Sequence, residues 1–245
     1  MRYGTHLAKF IVPFKDFFFP PICFSCNNRL TETESRVCTA CWQLIRRVKP
    51  DDYTVGILRD RFSAEGSVDA FYSCYYFEER GVFQKIVHSL KYDAITLFGV
   101  ELGRHVGLLM KEQSTVQSID MILPIPLHNV KSRERGYNQS DYICRGISDV
   151  LTRPYDFSLV QRQKNTVSQT HLNADERRKN VGDAFEIRSG REEFVRGKVF
   201  LVVDDVITTG STIQALARIL KDAGAAKVVA ASAALAMLGS KDSGL

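Results

Sequence analysis

The chain has 245 residues, with 33 lysines and arginines against 28 aspartates and glutamates for a formal charge of +5, and 44% of its residues are hydrophobic. That length accommodates one substantial domain and a small one, and the composition is that of an ordinary globular protein rather than a disordered or fibrous one. No apolar run is long enough to span a bilayer, and the charge is too modest by itself to mark a nucleic-acid binder.

Residues 1–22 are a short aromatic lead. The apolar stretch Leu7 to Ile22 is broken by Pro13, Lys15, Asp16, Pro20 and Pro21, and it lacks a small-residue cleavage site. It reads as a packing segment rather than a signal peptide, with a peripheral membrane anchor as the alternative. Four cysteines follow as Cys23-x2-Cys26, eleven residues, then Cys38-x2-Cys41. Thiolates two residues apart reach one tetrahedral ion, and two such knuckles complete four sulfur ligands, so the spacing predicts a structural zinc site with no open position. Disulfides and a redox Cys-x2-Cys are the alternatives. Without a signal peptide the expected compartment is the reducing cytoplasm, where thiols bind metal rather than pair. Cys74 and Cys144 stand alone in apolar surroundings and are expected in the core. A short helix is expected around Trp42 to Arg47. The expected division is a lead and zinc-knuckle domain over residues 1–50 and a larger domain over 51–245.

Pro50 to Glu65 is polar and reads as a connector. Val68 to Phe77 is rich in aromatics and reads as a strand. Gly81 to Tyr92 has helical spacing, with Val82, Ile86, Val87 and Leu90 on one side. Lys91 at its end is either a phosphate contact or a cation at a helix carboxyl end. Ile95 to Met110 reads as a second helix, Asp120 to Ile125 as a short buried strand, and Asn138 to Leu151 as a third helix with Tyr142, Ile143, Ile147 and Val150 on one face. Leu159–Val160 and Ala184 to Ile187 read as brief strands, with a polar, basic loop over 162–180 between them. Lys198 to Asp205 and Lys227 to Leu235 close the chain as strands, with a helical pattern from Ile213 to Ala223 between them. Strands alternating with helices predict an α/β fold with a mostly parallel sheet and right-handed crossovers.

The stretch from Val199 to Thr212 carries the most chemistry. Val199 to Val203 is a continuous β-rich run, as expected of a strand buried on both faces. Asp204 and Asp205 end it, and Thr208, Thr209, Gly210, Ser211 and Thr212 enter the next helix. Gly210 allows a tight turn and close approach to a ligand. Free N–H groups at the helix start attract a phosphate, and the hydroxyls add hydrogen bonds. The two carboxylates would repel a phosphate, so they suit sugar hydroxyls or a hydrated magnesium ion. A phosphate with a diol nearby describes a ribose 5-phosphate. A Walker A loop is excluded, because no Gly-Lys-Ser/Thr stands at the helix start.

Two further stretches supply positive charge. Pro124-Ile125-Pro126-Leu127-His128 is followed by Arg133-Glu134-Arg135-Gly136-Tyr137-Asn138-Gln139-Ser140, another strand end feeding a helix start. Its guanidinium forks and amides suit a second anionic group. The stretch containing Arg162, Lys164, Thr166, Gln169, His171 and Arg177 is long and polar, as an active-site lid would be.

Val202 to Thr212 resembles the phosphoribosyl-pyrophosphate (PRPP) loop of type I phosphoribosyltransferases. Over nearly its whole length the chain resembles the ComF competence-protein family, which includes the GntX-like proteins. The likeness runs through the cysteine knuckles, Leu90-Lys91-Tyr92, the Pro-x-Pro-Leu-His and Arg-Gly-Tyr-Asn-Gln of 124–139, and the series Arg162, Thr166, Gln169, Leu172, Arg177, Asn180. Tyr137 replaces a more frequent Phe, and Asp141 stands where Glu is common. The resemblance implies a type I phosphoribosyltransferase-like sheet preceded by a four-cysteine zinc knuckle, and a part in handling single-stranded DNA during natural transformation. On this reading Asp204 and Asp205 are catalytic, and with Thr208, Thr209, Gly210, Ser211 and Thr212 they hold the ribose 5-phosphate with magnesium. Lys91, Arg133, Arg135, Gln139, Arg162, Thr166, Gln169 and Arg177 face the pyrophosphate or form the lid. Implied partners are PRPP, single-stranded DNA and a DNA-translocating helicase. Three classes stay open: a transferase with an unknown acceptor, a non-catalytic PRPP sensor or DNA-binding module, and a nucleotide-salvage enzyme, for which no base-recognition element is identifiable.

Overall fold

The computed structural model describes residues 20–93, 95–127, 133–162 and 184–237. In chain order the main elements are α1 (Thr39–Gln43), α2 (Tyr53–Glu65), β1 (Ala70–Phe77), α3 (Val82–Tyr92), α4 (Leu97–Met110) and β2 (Met121–Pro124). Then come α5 (Gln139–Leu151), β3 (Val160–Arg162), β4 (Phe185–Ile187), β5 (Val199–Ile207), α6 (Ser211–Asp222) and β6 (Lys227–Ala236).

Four strands make one parallel sheet in the order β1-β6-β5-β2, while β3 and β4 form a separate antiparallel pair. The sheet is covered on both faces, which is why its central strands read as unbroken apolar runs. Val199, Leu201 and Val203 of β5 pack with Phe98, Leu102 and Ile143 from α4 and α5. Phe200, Val202 and Ile207 turn the other way, toward Leu58 and Phe62 of α2 and Ile213 and Leu216 of α6.

Three local expectations change. The segment 50–65 is not a connector throughout: α2 occupies Tyr53–Glu65. Val55, Leu58 and Phe62 recur at helical spacing and are buried, while the charged residues between them face outward. The expected helix over 42–47 instead lies at Thr39–Gln43, starting directly after Cys38. β5 does not stop at its carboxylates. It runs on to Ile207 because β6 pairs beside it as far as Leu235.

The layer over α4 and α5 is unusually close. A Cβ on Gly103 would stand 2.1 Å from the Ile143 carbonyl oxygen, and one on Gly146 would stand 2.0 Å from that of Val100. Only glycine at both positions lets the two backbones meet at this distance.

Candidate functional site

The carboxyl ends of β5 and β2 converge on one cavity of about 190 Å³, lined on its polar side by Lys91, Arg135, Asn138, Gln139, Ser140, Arg162, Asp204, Asp205 and Thr212. Ligands of open α/β sheets sit at this end of the strands.

Asp204 and Asp205 are half-buried. One oxygen of Asp204 accepts the Asp205 N–H at 2.8 Å and lies 3.5 Å from the Ser140 hydroxyl, while its other oxygen accepts no hydrogen bond among the described residues. Asp205 accepts the Val206 N–H at 2.8 Å with Oδ1, and its Oδ2 pairs with Lys91 Nζ at 2.5 Å. Burial pushes the Asp204 carboxyl up to about 7, and the charge of Asp205 alongside adds to the effect.

The hydroxyl loop is braced from behind by α2. Gly210 adopts φ +79°, and a Cβ there would meet the Phe62 ring at 2.7 Å. The Thr209 carbonyl accepts Arg61 Nη1 at 3.1 Å, and Gln214 Nε2 donates to the Arg61 carbonyl at 3.3 Å. Arg218 of α6 also pairs with Glu65 at the end of α2. Thr208, Thr209 and Ser211 are exposed, and Thr209 Oγ1 lies 3.0 Å from Ser211 Oγ. Of this loop, Thr212 reaches the cavity.

The second loop is fixed at its helix end. Asn138 caps α5, donating from Nδ2 to the Ile125 carbonyl and to Asp141 Oδ1, both at 2.9 Å. The Tyr137 hydroxyl donates to the Leu90 carbonyl, and the Arg135 guanidinium lies 5.3 Å from the Tyr92 ring centre. Gln139 is 2% exposed, and its Nε2 has no hydrogen-bond partner among the described residues. Arg162 stacks over Phe185 at 5.0 Å, and its Nε is likewise buried without a partner among the described residues. Buried donors are nearly always satisfied, so two in one cavity point to a ligand with acceptor oxygens.

The structure thus brings together Lys91, Arg135, Gln139, Arg162, Asp204, Asp205 and Thr212. Arg133 is exposed and away from the cavity lining. Thr166, Gln169 and Arg177 lie outside the described residues. Two contributors were missing from the residues singled out by sequence: Asn138 and Ser140, which stand inside the motif already noted. Their cue was the Asn-x-Ser start of a helix beside the expected strand end.

A second cluster lies apart from this cavity. The sulfurs of Cys23, Cys26, Cys38 and Cys41 all lie within 4.8 Å of one another, with Cys26 and Cys38 at 3.7 Å. Four sulfurs around one zinc at about 2.3 Å stand about 3.8 Å apart, so the donor set fits such an ion. Burial alone would raise the Cys23 thiol, but N–H groups of Cys38, Cys26 and Ser25 aim at its sulfur and bring it down to about 6. Glu34 ties the intervening turn, accepting the Thr39 N–H at 2.6 Å and the Thr31 N–H at 2.9 Å. Cys144 is fully buried, as expected of a core cysteine, whereas Cys74 is only partly buried against the core, with its thiol raised to about 12 by burial.

Residues 142–243, which include β5, the hydroxyl loop and the two carboxylates, match the phosphoribosyl transferase domain family. The cavity takes much of its lining from residues that precede this match, Lys91 and Arg135 among them. The DNA utilization protein YhgH of Salmonella typhimurium is 36% identical over 146 residues, covering 58% of this chain and 63% of that protein. Competence protein F of Haemophilus influenzae is 34% identical over 130 residues, covering 52% of this chain and 56% of that one. The chain therefore spans rather less than two thirds of the length of these curated relatives. They bear out the resemblance to the competence-protein family. A glutamine PRPP amidotransferase from B. subtilis superposes with a TM-score of 0.38 at 20% identity, covering 55% of this chain and 25% of that one. No helix among the described residues is long and apolar enough to cross a membrane.

Proposed function

We propose that the cavity binds PRPP and that the chain serves DNA uptake or utilisation, as the names of its relatives suggest. The observation that carries the reading is the pairing of two buried donors, on Gln139 and Arg162, that have no partner among the described residues, with two carboxylates in one cavity. The donors suit pyrophosphate oxygens, and the free oxygen of Asp204 suits a ribose hydroxyl. The 5-phosphate is assigned to the exposed hydroxyls and N–H groups of 208–212. Magnesium held at Asp204 would offset charge on the leaving pyrophosphate. As the anomeric carbon loses pyrophosphate it gains positive character, which the carboxylates are placed to stabilise. Whether transfer follows, or the site only senses PRPP, is decided by pyrophosphate release across candidate acceptors. Changing Asp204→Asn together with Asp205→Asn should abolish PRPP binding in calorimetry. Unchanged affinity would sink the assignment.

The cysteine cluster is read as a structural zinc site in a knuckle domain over residues 1–50, next to the transferase-like domain over 51–245. The cytoplasm, which keeps thiols reduced, is the expected compartment.

A second reading, single-stranded DNA binding, is favoured by rings and arginines that recur in two groups, one of them including Arg135 of the cavity lining. Arg135 lies by Tyr92, Tyr137 meets Tyr142 edge-on at 5.7 Å, and Arg145 stands 4.8 Å from Tyr142 and 5.4 Å from Phe157. Phe157 stacks on Tyr155 at 4.7 Å, and both are over a third exposed. Rings interleaved with cations hold single strands by stacking and charge. Oligonucleotide affinity should fall steeply with salt and weaken in Arg145→Ala. Salt-indifferent binding would count against it.

A further inference from the structure

We infer that Lys91 is a resident cation of the cavity, its ammonium standing at Asp205 in place of a divalent ion, so that PRPP binding does not require metal. The inference rests on the PRPP reading above.

Both oxygens of Asp205 are already engaged. Oδ1 accepts the Val206 N–H at 2.8 Å, and Oδ2 meets Lys91 Nζ at 2.5 Å. The two side chains are shielded, at 24% and 14% exposure, so the pair is not a solvated surface contact of small effect. Its position is built rather than incidental. Leu90 before it is fully buried and its carbonyl accepts the Tyr137 hydroxyl, while Tyr92 after it packs against the Arg135 guanidinium. The end of α3 is therefore held on both sides of Lys91 by the same loop that contributes Arg135 to the cavity.

The charge arrangement agrees. The basic residues lining the cavity are Lys91, Arg135 and Arg162, against the two acidic residues Asp204 and Asp205. A metal in such a site offsets repulsion between carboxylates and a pyrophosphate. An ammonium with three rotatable donors does the same, giving one hydrogen to Asp205 and another to a phosphate oxygen. Asp204 retains its unshared oxygen for the ribose, or for magnesium when present.

Calorimetric titration of PRPP into the full chain, once in EDTA and once in magnesium, tests this directly. The unaltered chain should bind in both buffers with affinities within about threefold. In EDTA, Lys91→Met should lose at least about tenfold, and magnesium should restore most of that loss. Lys91→Arg, which keeps the charge, should stay less metal-dependent than Lys91→Met. An unaltered chain that binds only with magnesium would overturn the inference while leaving the PRPP reading intact. So would Lys91→Met binding as tightly as the unaltered chain in EDTA. Failure of the unaltered chain to bind in either buffer would remove the PRPP reading and this inference with it. The comparison of the unaltered chain in two buffers stands even if the Met variant folds poorly.

Discussion

Gln139 shows best how a single residue can point to a ligand. It is nearly fully buried, yet its amide nitrogen has no partner among the described residues. Such a donor costs about 1–3 kcal/mol. A side chain kept for folding alone would not leave that cost standing. Gln139→Met, close in volume, should therefore hold or raise the melting temperature. The same change should weaken PRPP binding by about tenfold, one lost hydrogen bond to a charged oxygen. A variant that lost stability and kept its PRPP affinity would show Gln139 to be a structural residue. The sequence made Gln139 visible as part of a motif but could not show its burial. The Lys91–Asp205 pair was harder still. Periodicity placed Lys91 at a helix end and Asp205 at a strand end, but nothing local says that residues so far apart in sequence meet.

At the scale of elements, what was legible followed from local pattern. β1, α3, α5, β5 and β6 each carry a strong period or an unbroken apolar run, and their observed bounds lie within about two residues of those expected. α2 was hidden because Val55, Leu58 and Phe62, the apolar residues of its buried face, are interspersed with charged, small and partly exposed residues. Its purpose is also non-local: it supplies the ring against which Gly210 packs. The meeting of α4 and α5 was equally illegible, since glycines inside a helical pattern read as weak points rather than contacts. Gly146→Ala puts this to the test. Its Cβ would strike the Val100 carbonyl oxygen, the Arg104 nitrogen at 2.8 Å and the Gly103 Cα at 2.9 Å, all backbone atoms. The helices must part, and stability should fall by about 1–3 kcal/mol in denaturant unfolding. Because α5 begins at the cavity with Gln139 and Ser140, PRPP affinity should fall as well. An Ala variant of unchanged stability would show that the two helices do not meet so closely in solution.

Across the whole molecule, the cysteine cluster and the sheet share one interior. Cys23, Leu30, Val37, Cys41 and Ile45 belong to the same apolar cluster as Tyr75, Phe98 and Leu102. Phe24 meets Phe98 edge-on at 5.1 Å, and Trp42 stacks on Tyr75 at 5.9 Å. The chain leaving the knuckle then runs along the outer edge of β1, with Val48 N–H donating to the Cys74 carbonyl at 3.0 Å and Tyr76 N–H to that of Arg46 at 2.9 Å. That coverage also shields an edge strand that would otherwise invite pairing with another chain. The cysteine spacing made the cluster legible, but not its attachment to the sheet, which depends on packing between distant segments. If zinc organises the knuckle, its binding energy is part of the folding energy. Chelation should then release one zinc per chain and lower the melting temperature of the whole protein as a single transition, with aggregation favoured once the β1 edge is bared. Two separate transitions, with the sheet melting at its original temperature, would show instead that the knuckle is an appendage whose loss the sheet does not feel.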